Sequence, residues 1–144
     1  MDLFLNGDYR ITQRAGWPLS YAAMAHPKLS VPYIEKLIKK LTEPDNHPAI
    51  ARNILRMFQD IELPEKHQGH LLDTCFAFII NASQPVAIRA FAITVACRIC
   101  KPHTELKNEL LLVLNDLDQY PQQPAIKSRI KSALKGLKAA NPKN

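Results

Sequence analysis

The chain has 144 residues, 47% of them hydrophobic and only four glycines, which fits one folded helical domain with a real core and excludes a disordered chain. Its longest apolar run, Cys75 to Ile80, is far too short to span a bilayer, and the start lacks a basic segment, so neither a membrane span nor a secretory leader is expected. The net charge of +6 has one source: Lys127, Arg129, Lys131, Lys135, Lys138 and Lys143 lie in residues 124–144 without an acid, while residues 1–123 balance. A nucleic-acid groove along the body would spread basic residues through it, and this chain does not. Three cysteines cannot pair completely, so reduced thiols and a cytoplasmic location are expected.

In chain order, Leu3, Phe4 and Leu5 read as the edge of an apolar helix. Asp8 is an N-cap for a helix whose apolar face is Ile11, Ala15, Pro18 and Ala22, with a kink or short break near Gly16 and Trp17 imposed by Pro18. That helix stops before His26-Pro27. Ser30 then caps a second helix with Pro32 in its first turn and Ile34, Leu37, Ile38 and Leu41 as its stripe. After the breakers Glu43-Pro44-Asp45-Asn46, Pro48 opens a helix with Ile50, Ile54, Leu55, Phe58 and Ile61 inward, stopped at Leu63-Pro64. Its partner starts near Glu65 and turns Leu71, Leu72, Cys75, Phe76, Ile79 and Ile80 inward. Pro85 opens the next helix (Ile88, Phe91, Ala92, Val95, Ile99), Lys101-Pro102 stops it, and Thr104 caps its partner (Leu106, Leu110, Val113, Leu114, Leu117). A last helix opens near Pro124 with Ile126, Ile130, Ala133, Leu134 and Leu137 on one side, and reads as a cap over the preceding apolar edge. No period-two alternation occurs, so no strand is expected.

The punctuation is periodic. Pro27, Pro64 and Pro102, then Pro48, Pro85 and Pro124, then Arg14, Arg52 and Arg89, each recur at 37 to 39 residues. A period of that length predicts stacked helical hairpins, with one domain over 1–144 made of repeats at about 8–43, 46–81 and 83–118 and a half-repeat at 122–140.

Pro48-Ala-Ile-Ala-Arg52 and Pro85-Val-Ala-Ile-Arg89 resemble HEAT-type repeats of the armadillo-like class, which have a proline near the start of the first helix and an arginine a turn later. The likeness runs from about Asp8 to Leu137. It departs at both ends, where Asp8 replaces the proline ahead of Arg14 and Ser128 takes the arginine position after Pro124. The resemblance implies an all-α, right-handed α-α superhelix of about three hairpins plus a C-terminal capping helix. It also implies first helices on the convex side and second helices on the concave, ligand-facing side.

Recognition is therefore expected on the second helices, opposite their apolar stripes, with Lys36, Lys39, Lys40 and His70 as the contacts to a protein or peptide. Lys66, Asp73, Thr74, Lys107, Asn108 and Glu109 read as solvated neighbours. The alternative is a nucleic-acid-binding protein similar in fold type to HEAT-like DNA alkylation-repair glycosylases, using Lys127, Arg129, Lys131, Lys135 and Lys138 on the phosphates. The arginine ladder is expected to hydrogen-bond a neighbouring carboxylate or helix end. Trp17 reads as a core plug. Cys97-x-x-Cys100 reads as buried structural cysteine, and His67 with His70 as a solvated helix start, since two ligands do not make a zinc site. No nucleophile elbow, P-loop, zinc-protease motif or dinucleotide turn occurs, so neither catalysis nor a cofactor nor a metal is expected.

Overall fold

The computed structural model describes residues 1–139 as α1 (Asp2–Asn6), α2 (Tyr9–Ala25), a 3₁₀ segment (Pro27–Tyr33), α3 (Ile34–Leu41), α4 (Pro48–Phe58), α5 (Glu65–Ile80), α6 (Val86–Cys100), α7 (Thr104–Asp118) and α8 (Pro124–Ala139). No strand occurs among the described residues, and the fold is an all-α array of helical hairpins. Lys143 and the expected end of the half-repeat at 140 lie outside the described residues.

Two compact units are distinguished, residues 1–71 and residues from 72 onward. In the first, α2 and α3 pack on α4, and α1 lies against α2 and α3. In the second, α6 and α7 pair and α8 packs on both. First helix stacks on first helix in each unit, α2 on α4 and α6 on α8, as repeated hairpins require. The stripes meet in the core: Ile34, Leu37, Ile38 and Leu41 of α3 are buried, as are Ile50, Ile54, Leu55 and Phe58 of α4 and Ile126, Ile130, Ala133, Leu134 and Leu137 of α8. At eight residues α3 is too short to hold itself together in water. Each buried Leu or Ile contributes roughly 1.5–3 kcal/mol, so packing holds it.

Chemistry at the ends matches the punctuation. Asp8 accepts hydrogen bonds from the backbone N–H groups of Arg10 and Ile11 at 3.0 and 3.1 Å. His47 Nδ1 accepts from Ala49 N–H at 3.1 Å, ahead of Pro48 at the first position of α4. Between α3 and α4 the backbone reverses through Asp45 at φ 60°, a left-handed conformation that Asp tolerates. Two start signals fall elsewhere. Ser30 is buried within the 3₁₀ segment and caps nothing, because Pro32 withholds an N–H and α3 begins only at Ile34. His103, not Thr104, occupies the N-cap of α7.

The largest departure is in α2, which runs unbroken through Pro18. Pro18 lies on the solvent side, where water can satisfy the carbonyl that loses its donor. Inward the helix turns Thr12, Gly16, Ser20 and Ala23, not Ile11, Ala15, Pro18 and Ala22. Small residues are needed because a Cβ on Gly16 would stand 2.5 Å from Asn53 Nδ2 and 3.1 Å from Phe4 Cε2. The buried polar groups are satisfied locally: Thr12 donates to the Gly7 carbonyl, Ser20 to that of Trp17 and Asn53 to that of Ala49, at 3.0, 2.8 and 2.8 Å. Ile80, expected inside, is the exposed last residue of α5.

The arginine ladder holds structurally at one rung. Arg89 is buried, and its Nε and Nη2 both donate to the carbonyl of Ile79, at 3.1 and 3.0 Å, in the last turn of α5. This closes a helix end whose carbonyls lack intrahelical partners. Arg14 and Arg52 are exposed.

Four substitutions check this packing by urea unfolding. Gly16→Ala is expected to lose about 1–3 kcal/mol through overpacking, against its gain in helix propensity. Gly69→Ala and Gly136→Ala, whose added Cβ atoms meet nothing within 4 Å, are expected to gain about 0.5–1 kcal/mol. Arg89→Met is expected to cost about 1–3 kcal/mol by orphaning the Ile79 carbonyl; no loss would show that the fork is dispensable.

Candidate functional site

Residues 34–70 carry the expected recognition face. The stripe of α3 is buried, so Lys36, Lys39 and Lys40 are carried on its opposite side. Lys36, Lys39 and Lys40 line a depression of about 190 Å³ with Leu5 and Asn6 of α1. A second depression, about 260 Å³, joins Lys39 to Glu35 and Thr42 and to Lys66, His67 and His70 of α5. Lys39 belongs to both, so the four expected contacts fall along one continuous stretch of surface, to which Lys66 and His67 add. Lys40 Nζ pairs with Glu43 at 2.8 Å, an exposed ion pair worth about 0.2–1 kcal/mol and easily exchanged for another anion. Lys107, expected to be solvated, is instead buried at 4% exposure.

The basic C-terminal helix divides. At 100° per residue, Lys127, Lys131, Lys135 and Lys138 share one exposed stripe of α8, at spacings of four, four and three. Arg129 lies on the other flank, where its Nη1 donates to Thr94 Oγ1 at 2.6 Å and its guanidinium sits 6.0 Å from the Phe91 ring centroid. Five residues expected to act together thus serve two surfaces.

Trp17 is no core plug. It is 59% exposed and meets Tyr21 edge to face, with ring centroids 4.7 Å apart. Arg56 lies 4.9 Å over the Tyr21 ring, and its Nη2 donates to the Tyr21 hydroxyl at 3.2 Å. The i, i+4 spacing of Trp17 and Tyr21 is the signal in the sequence for this pairing.

Cys75 and Cys100 are buried and Cys97 partly so, all as free thiols. Burial first, and then the neighbouring Cys100, push the Cys97 thiol up to about 12. Burial and then Glu109 push Cys100 up to about 11, and Cys75 is displaced in the same direction. A thiol so placed is neither a nucleophile nor a ready metal ligand at neutral pH. Among the described residues no group of His, Cys, Asp and Glu is arranged to hold a metal ion.

The HEAT repeat domain family matches residues 1–137. Neither a curated protein nor a solved structure matches the chain.

The thiols supply a pH test. Their folded pKa values exceed the free value of 9.0, so the stability they contribute is complete below pH 9 and is lost as pH rises toward about 12. Alkylation at pH 8 is expected to run at least about tenfold slower on folded than on urea-unfolded protein, because the thiolate fraction sets the rate. Equal rates would contradict the burial.

Proposed function

The chain belongs to the HEAT repeat domain family, and from that premise we propose that it is a non-enzymatic interaction module. It holds an acidic segment of a partner protein against Lys36, Lys39, Lys40 and His70. HEAT repeats generally mediate protein–protein interaction or scaffolding and are typically non-enzymatic. The observation that carries the choice of surface is the convergence of three α3 lysines with Lys66, His67 and His70 on depressions sharing Lys39. Glu35 and Glu43 are the acids among their lining residues, so the lining is net cationic and selects an anionic partner. In the same reading 46–81 is one repeat, with α5 as its second helix, and the protein acts in the cytoplasm. Among the described residues no helix is long and apolar enough to cross a membrane.

The lysine stripe of α8 favours a second reading, nucleic-acid binding. Four phosphate contacts would give a log–log salt slope of roughly −3 to −4. Duplex binding with that slope, removed by Lys127→Gln/Lys131→Gln, would support it over the first.

The first reading is tested by quantitative pull-down with wild-type protein and with Lys36→Ala/Lys39→Ala/Lys40→Ala. Proteins captured by the wild type are expected to fall at least about fivefold in the variant and to elute with salt, because rim charges act through screened attraction. Equal recovery from both proteins would remove this surface from the function.

A further inference from the structure

Arg10, Arg14, Trp17 and Tyr21 follow one another along α2 at spacings of four, three and four, so they form one stripe, and all four are exposed. At 1.5 Å per residue the stripe runs for about 16 Å. The adjoining helix α4 adds Arg52, exposed, and Arg56, half-buried, one turn apart. The two helices run parallel: the Tyr9 ring meets that of His47, Gly16 faces Asn53 and Tyr21 meets Arg56, in the same order along both. Arg52, one turn before Arg56 and on the same side of α4, therefore stands level with the stretch from Arg14 to Trp17.

Neither α2 nor α4 contains an Asp or a Glu. The nearest acids in the sequence are Asp8, whose carboxylate is spent capping α2, and Asp60, past the end of α4. Among the described residues no carboxylate forms an ion pair with Arg10, Arg14, Arg52 or Arg56. The even balance of charge over residues 1–123 thus conceals a face of four arginines. Arg56 meets the ring and hydroxyl of Tyr21, a contact that leaves its positive charge in place. The aromatic surface is also unspent by folding: Trp17 is 59% exposed, and its edge-to-face contact leaves the indole a face that Tyr21 does not cover.

We propose that this face binds single-stranded nucleic acid, with a base stacked on Trp17 and the flanking phosphates on Arg10, Arg14, Arg52 and Arg56. Every base has a π face to offer an aromatic ring, and the planar guanidinium fork matches phosphate oxygens. A duplex keeps its base faces inside its own stack and would give Trp17 nothing to cover. An acidic peptide would engage the arginines and leave the indole bare, whereas a proline-rich peptide would use the indole and leave the arginines unpaired. A single strand supplies a charge and a flat ring at each unit, and so satisfies both. The face lies on α2 and α4 and stands or falls independently of the α3 depressions and of the lysine stripe of α8.

Trp17 is the only tryptophan in the chain, so its fluorescence reports from this face alone. Titration of the full chain with short oligo(dT) and oligo(rU) strands, a DNA duplex and a polyglutamate peptide tests the assignment. Single strands are expected to quench Trp17 and to bind with a log–log salt slope of roughly −2 to −3, about −0.7 for each phosphate neutralised. Read by the anisotropy of labelled strands, Trp17→Ala should weaken binding by about fivefold or more, as loss of a stacking contact does, and Trp17→Phe should recover most of it. Arg14→Gln/Arg52→Gln should weaken it by about as much and flatten the salt slope by about 1; thermal melts confirm that each variant is folded. Binding of either strand in this way upholds the assignment, and the tighter of the two identifies RNA or DNA as the ligand. No quenching by either strand, equal or tighter binding of the duplex, equal quenching by polyglutamate, or indifference to Trp17→Ala or to Arg14→Gln/Arg52→Gln would overturn it.

Discussion

The helices α3, α4 and α8 each carry an apolar stripe that they have no means of covering alone. That constraint orders the molecule. With its cysteines present as free thiols and α3 only eight residues long, side-chain packing is the main tie of α3 to α4 and of α8 to α6 and α7, with the Arg129–Thr94 hydrogen bond added between α8 and α6. The prolines act earlier, by fixing where each helix stops and thereby which residues reach the shared face. Buried Ile, Leu and Phe side chains then supply the energy, while caps such as Asp8 and the Arg89 fork on Ile79 remove the cost of helix ends.

Because the stripes are consumed by packing, whatever recognises another molecule must come from the opposite faces and from helix ends. The charges follow this division. Lys36, Lys39 and Lys40 are carried opposite the buried side of α3, Lys127 and Lys131 on an exposed flank of α8, and Arg98 with Lys101 at the end of α6. Arg89 shows the contrary use of a similar side chain. Once buried, its guanidinium is spent on a carbonyl, and burial lowers its pKa below the ordinary value. Position along the hairpin, more than residue type, decides whether a cation is taken into the fold or left at its surface.

Much of this was legible in the sequence. Apolar residues at helical spacing between prolines located α3, α4, α6 and α8 and every buried side chain of α3 and α8, whose stripes are Ile, Leu and one Ala; in α4 and α6 they marked about half, because those helices also bury Ala49, Ala51, Asn53, Ala90, Ile93 and Ala96 off the single stripe. The failures share a cause. The inner face of α2 is Thr12, Gly16, Ser20 and Ala23, chosen for size against Asn53 and Phe4, and a hydrophobicity pattern has no term for closeness of approach. Volume alone places Trp17 inward, whereas it stands exposed beside Tyr21. Charge alone groups Arg129 with the lysines, although 100° per residue puts it on the other flank. The placement of Lys36, Lys39 and Lys40 opposite the stripe of α3 was legible because it needs only a helix and its buried side, whereas a depression shared by two helices could not be read from either one.

Native-state hydrogen exchange tests the dependence on shared stripes most directly. Helices buried against several neighbours should open only with the whole fold, and those with one covered side should open locally. The account predicts the slowest exchange in α4 and α6, where buried residues occupy most of each turn, and faster exchange in α1 and along the exposed side of α2. Amides of α4 and α6 exchanging as fast as those of α1 would contradict it.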